Sequence, residues 1–175
     1  MPGKKPFMKI FFLIAVLVIS AFTNNSCRSL NDNYLFVGTW QYVETLTADE
    51  VVYITTRNLQ LTKTSYEETY VIQHQNSGTI SGIIGTRGHL GKSRYHLTFE
   101  LNELGTCARD SIDACTSEVV WNAEGTDYWK ENIEFFGQIV KGDFKADETT
   151  LTLTRDLNND GDTTDDGENV VFNKI

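Results

Sequence analysis

The densest concentration of potential ligand groups lies near the C-terminus, in Asp156-Leu-Asn-Asn-Asp-Gly-Asp-Thr-Thr-Asp-Asp-Gly-Glu168. Six of these 13 residues are acidic. Asp156, Asn158 and Asp160 fall at alternate positions, followed by Gly161 and Asp162. Alternate oxygen ligands leading into a glycine turn wrap a hard cation in EF-hand loops. The sequence therefore predicts a calcium site formed by Asp156, Asn158, Asp160, Asp162, Asp166 and Glu168. The end of the loop departs from that pattern, because Gly167 stands where the closing glutamate belongs and Glu168 comes one residue late. The flanks read as strands, so the expected site is a strand–loop–strand one with a structural ion. A solvated turn is the alternative, since Asp, Asn and Gly are favoured turn residues in any case.

Other residue types suited to chemistry do not group. His74, His89 and His96 lack ligand spacing, and no Gly-x-Ser-x-Gly elbow occurs. Gly78, Gly82, Gly85, Gly88 and Gly91 are not followed by the Lys-Ser/Thr that ends a phosphate loop, so bulges and bends are the expectation. Glu67-Glu68 and Asp165-Asp166 are adjacent acids that point to opposite faces of a strand and are expected to be solvated. The reading is of a binding protein, not an enzyme.

Three cysteines are present, an odd number. Cys27 follows a secretory pattern: Lys4, Lys5 and Lys9, an apolar run from Ile10 to Ile19, then small and polar residues to Ser26. The run is short for a bilayer span. With a cysteine directly after Ser26, residues 1–26 resemble a bacterial lipoprotein signal, which implies lipid on Cys27, a tether over 27–35 and an outer-membrane location in the envelope. Asn24 stands where that pattern has an aliphatic residue, so an ordinary secretory cut near Ala21 is the alternative. Cys107 and Cys115 are left to pair, the default in an oxidising compartment.

The whole chain of 175 residues carries a net charge of −9. The signal removes three lysines and no acid, so the mature charge is −12. That excludes nucleic acid as a natural partner, because such binding rests on basic residues neutralising phosphates.

The remainder, residues 36–175, reads as a single domain of short strands. The runs are 36–46, 51–56, 58–63, 66–75, a glycine-dense 77–90, 92–103, 117–124, 131–141, 149–155 and 170–175. Tyr95, Leu97, Phe99 and Leu101 alternate with polar residues, the period of a half-buried strand. Asp127–Asn132 has room for one helical turn containing Trp129. Eight to ten strands with short connections predict an all-β antiparallel meander, closed as a barrel or stacked as a sandwich.

Gly38-Thr39-Trp40 on the first strand resembles the Gly-x-Trp signature of lipocalins and of lipocalin-like domains in bacterial lipoproteins. Leu61–Tyr66, Ser77–Gly82 and Leu151–Asp156 agree with the bacterial group. The resemblance implies an eight-stranded up-and-down barrel with Trp40 closing one end, and Arg155 is the positional candidate to pack on it. It also implies a small apolar ligand in the barrel. A surface adhesin that binds host or matrix proteins through its loops is the alternative.

Overall fold

Alternation of inward apolar and outward polar residues dictates the architecture. The computed structural model describes residues 34–157, 161–165 and 167–175. The signal, Cys27 and most of the tether lie outside these residues, as do Asn158, Asp160 and Asp166. Residues Leu35–Ile175 form one compact unit. Its strands are β1 (Gly38–Ala48), β2 (Val51–Leu61), β3 (Ser65–His74), β4 (Ile80–Ser93), β5 (His96–Arg109), β6 (Cys115–Ala123), β7 (Ile139–Ala146), β8 (Thr150–Arg155) and β9 (Asn169–Lys174). A helix, α1 (Asp127–Phe136), precedes β7.

Eight strands close an antiparallel barrel in the order β1-β2-β3-β4-β5-β7-β8-β9. The closure between β1 and β9 is short, Trp40 opposite Lys174 and Gln41 opposite Asn173. β6 stands outside the ring, and β5 explains how. Its His96–Glu100 half pairs with β7, whereas its Glu103–Arg109 half pairs with β6. The change of partner comes at Leu101, whose N–H donates to the Gln138 carbonyl at 3.0 Å. The β5–β6 ribbon therefore extends past the barrel, and α1 brings the chain back to start β7.

Gly88 permits the bend that this requires. The β4–β5 register shifts between Arg87 and Gly88, and a Cβ at Gly88 would overlap the Glu100 carbonyl oxygen. Glycines in strands commonly mark such bulges and close approaches. The Cys107–Cys115 disulfide forms as expected and ties β5 to β6.

The core fills one end of the barrel. Phe36, Trp40, Leu59, Leu61, Leu97, Leu151, Leu153 and Phe172 are buried there in one cluster. The Trp40 indole donates to the Phe36 carbonyl at 2.8 Å, which satisfies the one polar group of a fully buried ring. A second cluster joins Leu101 and Leu104 to Trp129, with Ile133 and Phe136 packed against them.

Four expectations need correction. The runs 51–56 and 58–63 are one strand, because Arg57 continues the inward alternation instead of breaking it. Residues 131–136 are helical, and α1 is ten residues long. Thr126 caps it by accepting the Trp129 N–H at 3.3 Å, and Gly137 ends it at φ 67°, a left-handed position that favours glycine. Tyr95 is exposed at the β4–β5 turn, not on the buried face. Arg155 does not pack on Trp40; the cation over that ring is Lys174, 5.5 Å from its centroid.

Candidate ligand-binding site

Three inward-facing rows carry a charged residue where the apolar series leaves off. On β2 the buried positions are Thr55, Arg57, Leu59 and Leu61. On β8 they are Leu151, Leu153 and Arg155, and on β3 Tyr66 and Glu68. Leu59 faces Glu68 across the β2–β3 ladder and Arg57 faces Tyr70, so Arg57 and Glu68 are diagonal neighbours. Arg155 reaches the same carboxylate from β8.

The result is a buried ion network. Arg155 donates through Nη1 to Glu68 Oε2 at 2.8 Å and through Nη2 to Oε1 at 3.0 Å, a two-pronged fork. Arg57 Nε donates to Glu68 Oε1, and its Nη1 donates to the Gly167 carbonyl at 3.1 Å. Exposures are 2% for Arg57, 3% for Glu68 and 5% for Arg155. Aromatic rings complete the packing: the Arg57 guanidinium lies 4.5 Å from the Tyr70 ring centroid and the Arg155 guanidinium 5.1 Å from that of Phe99. Burial opposes the Arg57 charge, but Glu68 and Tyr70 beside it raise its pKa overall. Burial, reinforced by the Glu68 charge, pushes the Tyr66 and Tyr70 phenols well above their ordinary range.

Above this network is a cavity of about 260 Å³ with mainly apolar walls. Arg57, Glu68 and Arg155 line one part of it, and Tyr66, Tyr70, Phe99 and Leu101 line the sides. Phe135, Phe136 and Gly137 at the end of α1 contribute the outer wall with Ile84, Val140 and Leu157. Phe135 is 80% exposed and Ile84 is 40% exposed, so the rim is apolar as well. An apolar concavity with a few converging polar groups is the general form of a small-molecule site.

Glu68 is buried, not solvated as its residue type and its acidic neighbour predict, and Arg57 joins it in the interior. Their shared signal is phase: each is a charged residue in step with buried neighbours two positions away. Glu67, out of phase, behaves as expected, half-exposed and 3.6 Å from Arg87 on the outer face. His96 lies exposed beside Asp143 on β7, and His89 is exposed on β4.

The acidic loop is held by its own backbone. Glu168 is buried; Oε1 accepts from Leu157 N at 2.8 Å and Oε2 from Asp165 N at 3.2 Å. Asp156 Oδ2 accepts from Gly161 N at 3.0 Å, while its buried Oδ1 has no hydrogen-bond partner among the described residues. Asp162 Oδ1 accepts from the N–H and hydroxyl of Thr164 at 2.9 Å, and these bonds lower its pKa. No group of three or more His, Cys, Asp or Glu side chains among the described residues is placed to hold a metal ion. Asn158, Asp160 and Asp166, half of the expected ligand set, lie outside them.

Comparison of the chain with family models, with curated proteins and with solved structures gives no match.

Proposed function

We propose that this chain is an envelope lipoprotein whose lipocalin-like barrel binds a small, mainly apolar ligand without catalysis. The observation that supports the reading is the cavity of about 260 Å³ opening beside α1, with apolar walls and three charged groups at its inner end. The test is titration of the full chain with an environment-sensitive apolar dye. Ile84→Trp puts an indole at the rim of the cavity and should remove the fluorescence enhancement while leaving the melting temperature near that of the parent. Equal enhancement in both proteins means that the dye binds elsewhere and sinks the reading.

The anchor belongs to the same proposal. Cys27→Ser should move the protein from membranes to the soluble fraction, and persistence in membranes overturns lipidation. Calcium in the 156–168 loop is likewise proposed, supported by the unpartnered Asp156 Oδ1. Millimolar calcium should raise the melting temperature by binding the folded state alone, and Asp156→Ala should abolish the rise. No rise in the parent protein refutes the site.

A second reading, a surface protein that binds host or matrix proteins through its loops, is favoured by one observation. Ile112 is 82% exposed in the disulfide-closed β5–β6 loop, outside the barrel. Ile112→Ser should weaken such binding and leave dye binding in the cavity untouched.

A further inference from the structure

We propose that the free edge of β1 is a self-association surface, on which a second copy of this chain pairs its own β1 antiparallel about a two-fold axis at Leu46. The proposal is independent of the ligand-binding reading.

The barrel closes on β1 only at Trp40 and Gln41. The Ile175 N–H donates to the Thr39 carbonyl at 3.0 Å, so the odd-numbered residues of β1 turn their peptide groups towards β9. This facing alternates along an antiparallel strand. The even-numbered residues therefore serve β2, whose pairing with β1 runs unbroken from Gly38 to Ala48. Beyond Gln41 the strand continues to Ala48 without a second neighbour among the described residues. There the N–H and C=O groups of Thr45 and Thr47 point off the edge, and they have no hydrogen-bond partner among the described residues.

Open edges are templates for a further strand, and natural sheets guard them with lysine, proline or a bulge. From Glu44 to Ala48 β1 has none of these. Thr45 to Ala48 are exposed, and Leu46 retains 48% of its surface. β6 also has a free side, but its register with β5 shifts between Cys107 and Arg109, and Thr126 occupies the Ala123 carbonyl.

The occupant follows from what the edge presents. Thr45 and Thr47 each offer one donor and one acceptor, and an antiparallel strand of the same spacing answers all of them. A second β1 has that spacing: Thr45 falls opposite Thr47 of the second copy, and Thr47 opposite its Thr45. Leu46 then meets its own counterpart at a non-hydrogen-bonded position, where side chains approach most closely. Each leucine ends a row that runs through Tyr53 on β2 to His74 on β3, whose rings lie 4.7 Å apart. Pairing joins the two rows into one strip. The charge pattern fits the same register. Glu44 faces Ala48 of the second copy and Asp49 faces its Val43, so no acids are directly opposed although the chain is acidic overall. The remaining long-range repulsion is screened over about 8 Å at physiological salt. A contact of this isologous kind closes as a dimer.

Sedimentation equilibrium of the full chain carrying Cys27→Ser, in about 0.15 M salt, measures the association. The contact is at the small end for proteins, so the mass should rise with concentration and double by about 1 mM. Thr45→Pro removes an edge donor and leaves the β1–β2 ladder whole, so it should keep the chain monomeric. Leu46→Lys puts like charges on the axis and should weaken association about tenfold or more. A cooperative melt shows that each variant is folded. Leu46→Cys should give a disulfide-linked dimer on oxidation, since the facing Cα atoms would lie about 4.5 Å apart, within disulfide reach. Val43→Cys, at a similarly exposed position off the axis, should not. A Cys27→Ser chain that stays monomeric at about 1 mM overturns the proposal, and any partner of this edge is then a different protein. A dimer that survives both Thr45→Pro and Leu46→Lys, or that cross-links as readily through Val43→Cys, lies on another surface and overturns it as well.

Discussion

Removing the Glu68 carboxylate should be among the most damaging single changes in the barrel, and Glu67 next to it supplies the control. Glu68 is 3% exposed and accepts from both Arg57 and Arg155, themselves 2% and 5% exposed. In Glu68→Ala two guanidiniums remain in the interior without the carboxylate that pairs with both. Breaking one partner out of a buried ion pair costs about 3–5 kcal/mol, because the surviving charge keeps its desolvation penalty. For a domain of this size each kcal/mol moves the melting temperature by about 2–4 °C, so the expected fall is about 6–20 °C. Glu67→Ala removes a half-exposed carboxylate 3.6 Å from Arg87, a surface pair whose loss should stay under about 1 kcal/mol.

Thermal unfolding of the full chain followed by circular dichroism measures both. A third variant tests the network as a whole: Arg57→Met, Glu68→Leu and Arg155→Met together replace the whole network by apolar groups of similar bulk. Such replacements are commonly neutral or stabilising by about 1–4 kcal/mol, so this protein should melt at or above the parent temperature. If Glu68→Ala falls no further than Glu67→Ala, the carboxylate is not holding two buried cations.

Other consequences are simpler to state. Cys107→Ser with Cys115→Ser opens a short loop and should cost about 2–3 kcal/mol in the chain-entropy estimate, with faster hydrogen exchange in β6; an unchanged melt refutes the disulfide's contribution. Tyr66 and Tyr70 have folded-state pKa values raised above the ordinary phenol value of about 10, so the stability they contribute is present below that pH and is lost as the pH climbs above it. Spectrophotometric titration should show these two phenols ionising only as the barrel unfolds at high pH, and ionisation of all seven tyrosines in the folded state near pH 10 contradicts this. Gly88→Ala should destabilise by about 1–3 kcal/mol, since the Cβ meets backbone that cannot retreat; a cost near zero in a denaturant melt means that the bulge is not under that constraint.

The barrel was legible because its strands alternate strictly. Leu97, Phe99 and Leu101, or Leu151 and Leu153, identify an inner face without reference to anything distant in sequence. The helix was not, because Phe135 and Phe136 favour strands and conceal the quieter signals of Thr126 before the first turn and Gly137 after the last. The residue type of Glu68 points to solvent, whereas its place two residues from buried Tyr66 points inward, and the second signal is the one that the barrel obeys. Arg57 is concealed for a related reason: its inward phase is visible only when β2 runs unbroken from Thr55 to Leu61. No local pattern could have brought Arg155 to Glu68, 87 residues away, since that pairing exists only once the barrel closes.

The cavity depends on a detail of connectivity. A plain meander would let β6 pair along the edge that β5 now gives to β7, and the ring would close without α1. Here β5 divides its edge at Leu101, and the chain must cross from the end of β6 to the start of β7. The crossing is α1, anchored by Trp129 and Ile133 against Leu101 and Leu104. That anchoring leaves Phe135 and Phe136 at the cavity rather than in the second core cluster alone. The charged network and the apolar rim thus come from different parts of the chain, the first from inner-face positions of the closed ring, the second from the crossing. Shortening the crossing should open the rim without disturbing the Arg57–Glu68–Arg155 network, so access to the cavity and stability of the barrel should respond to different substitutions.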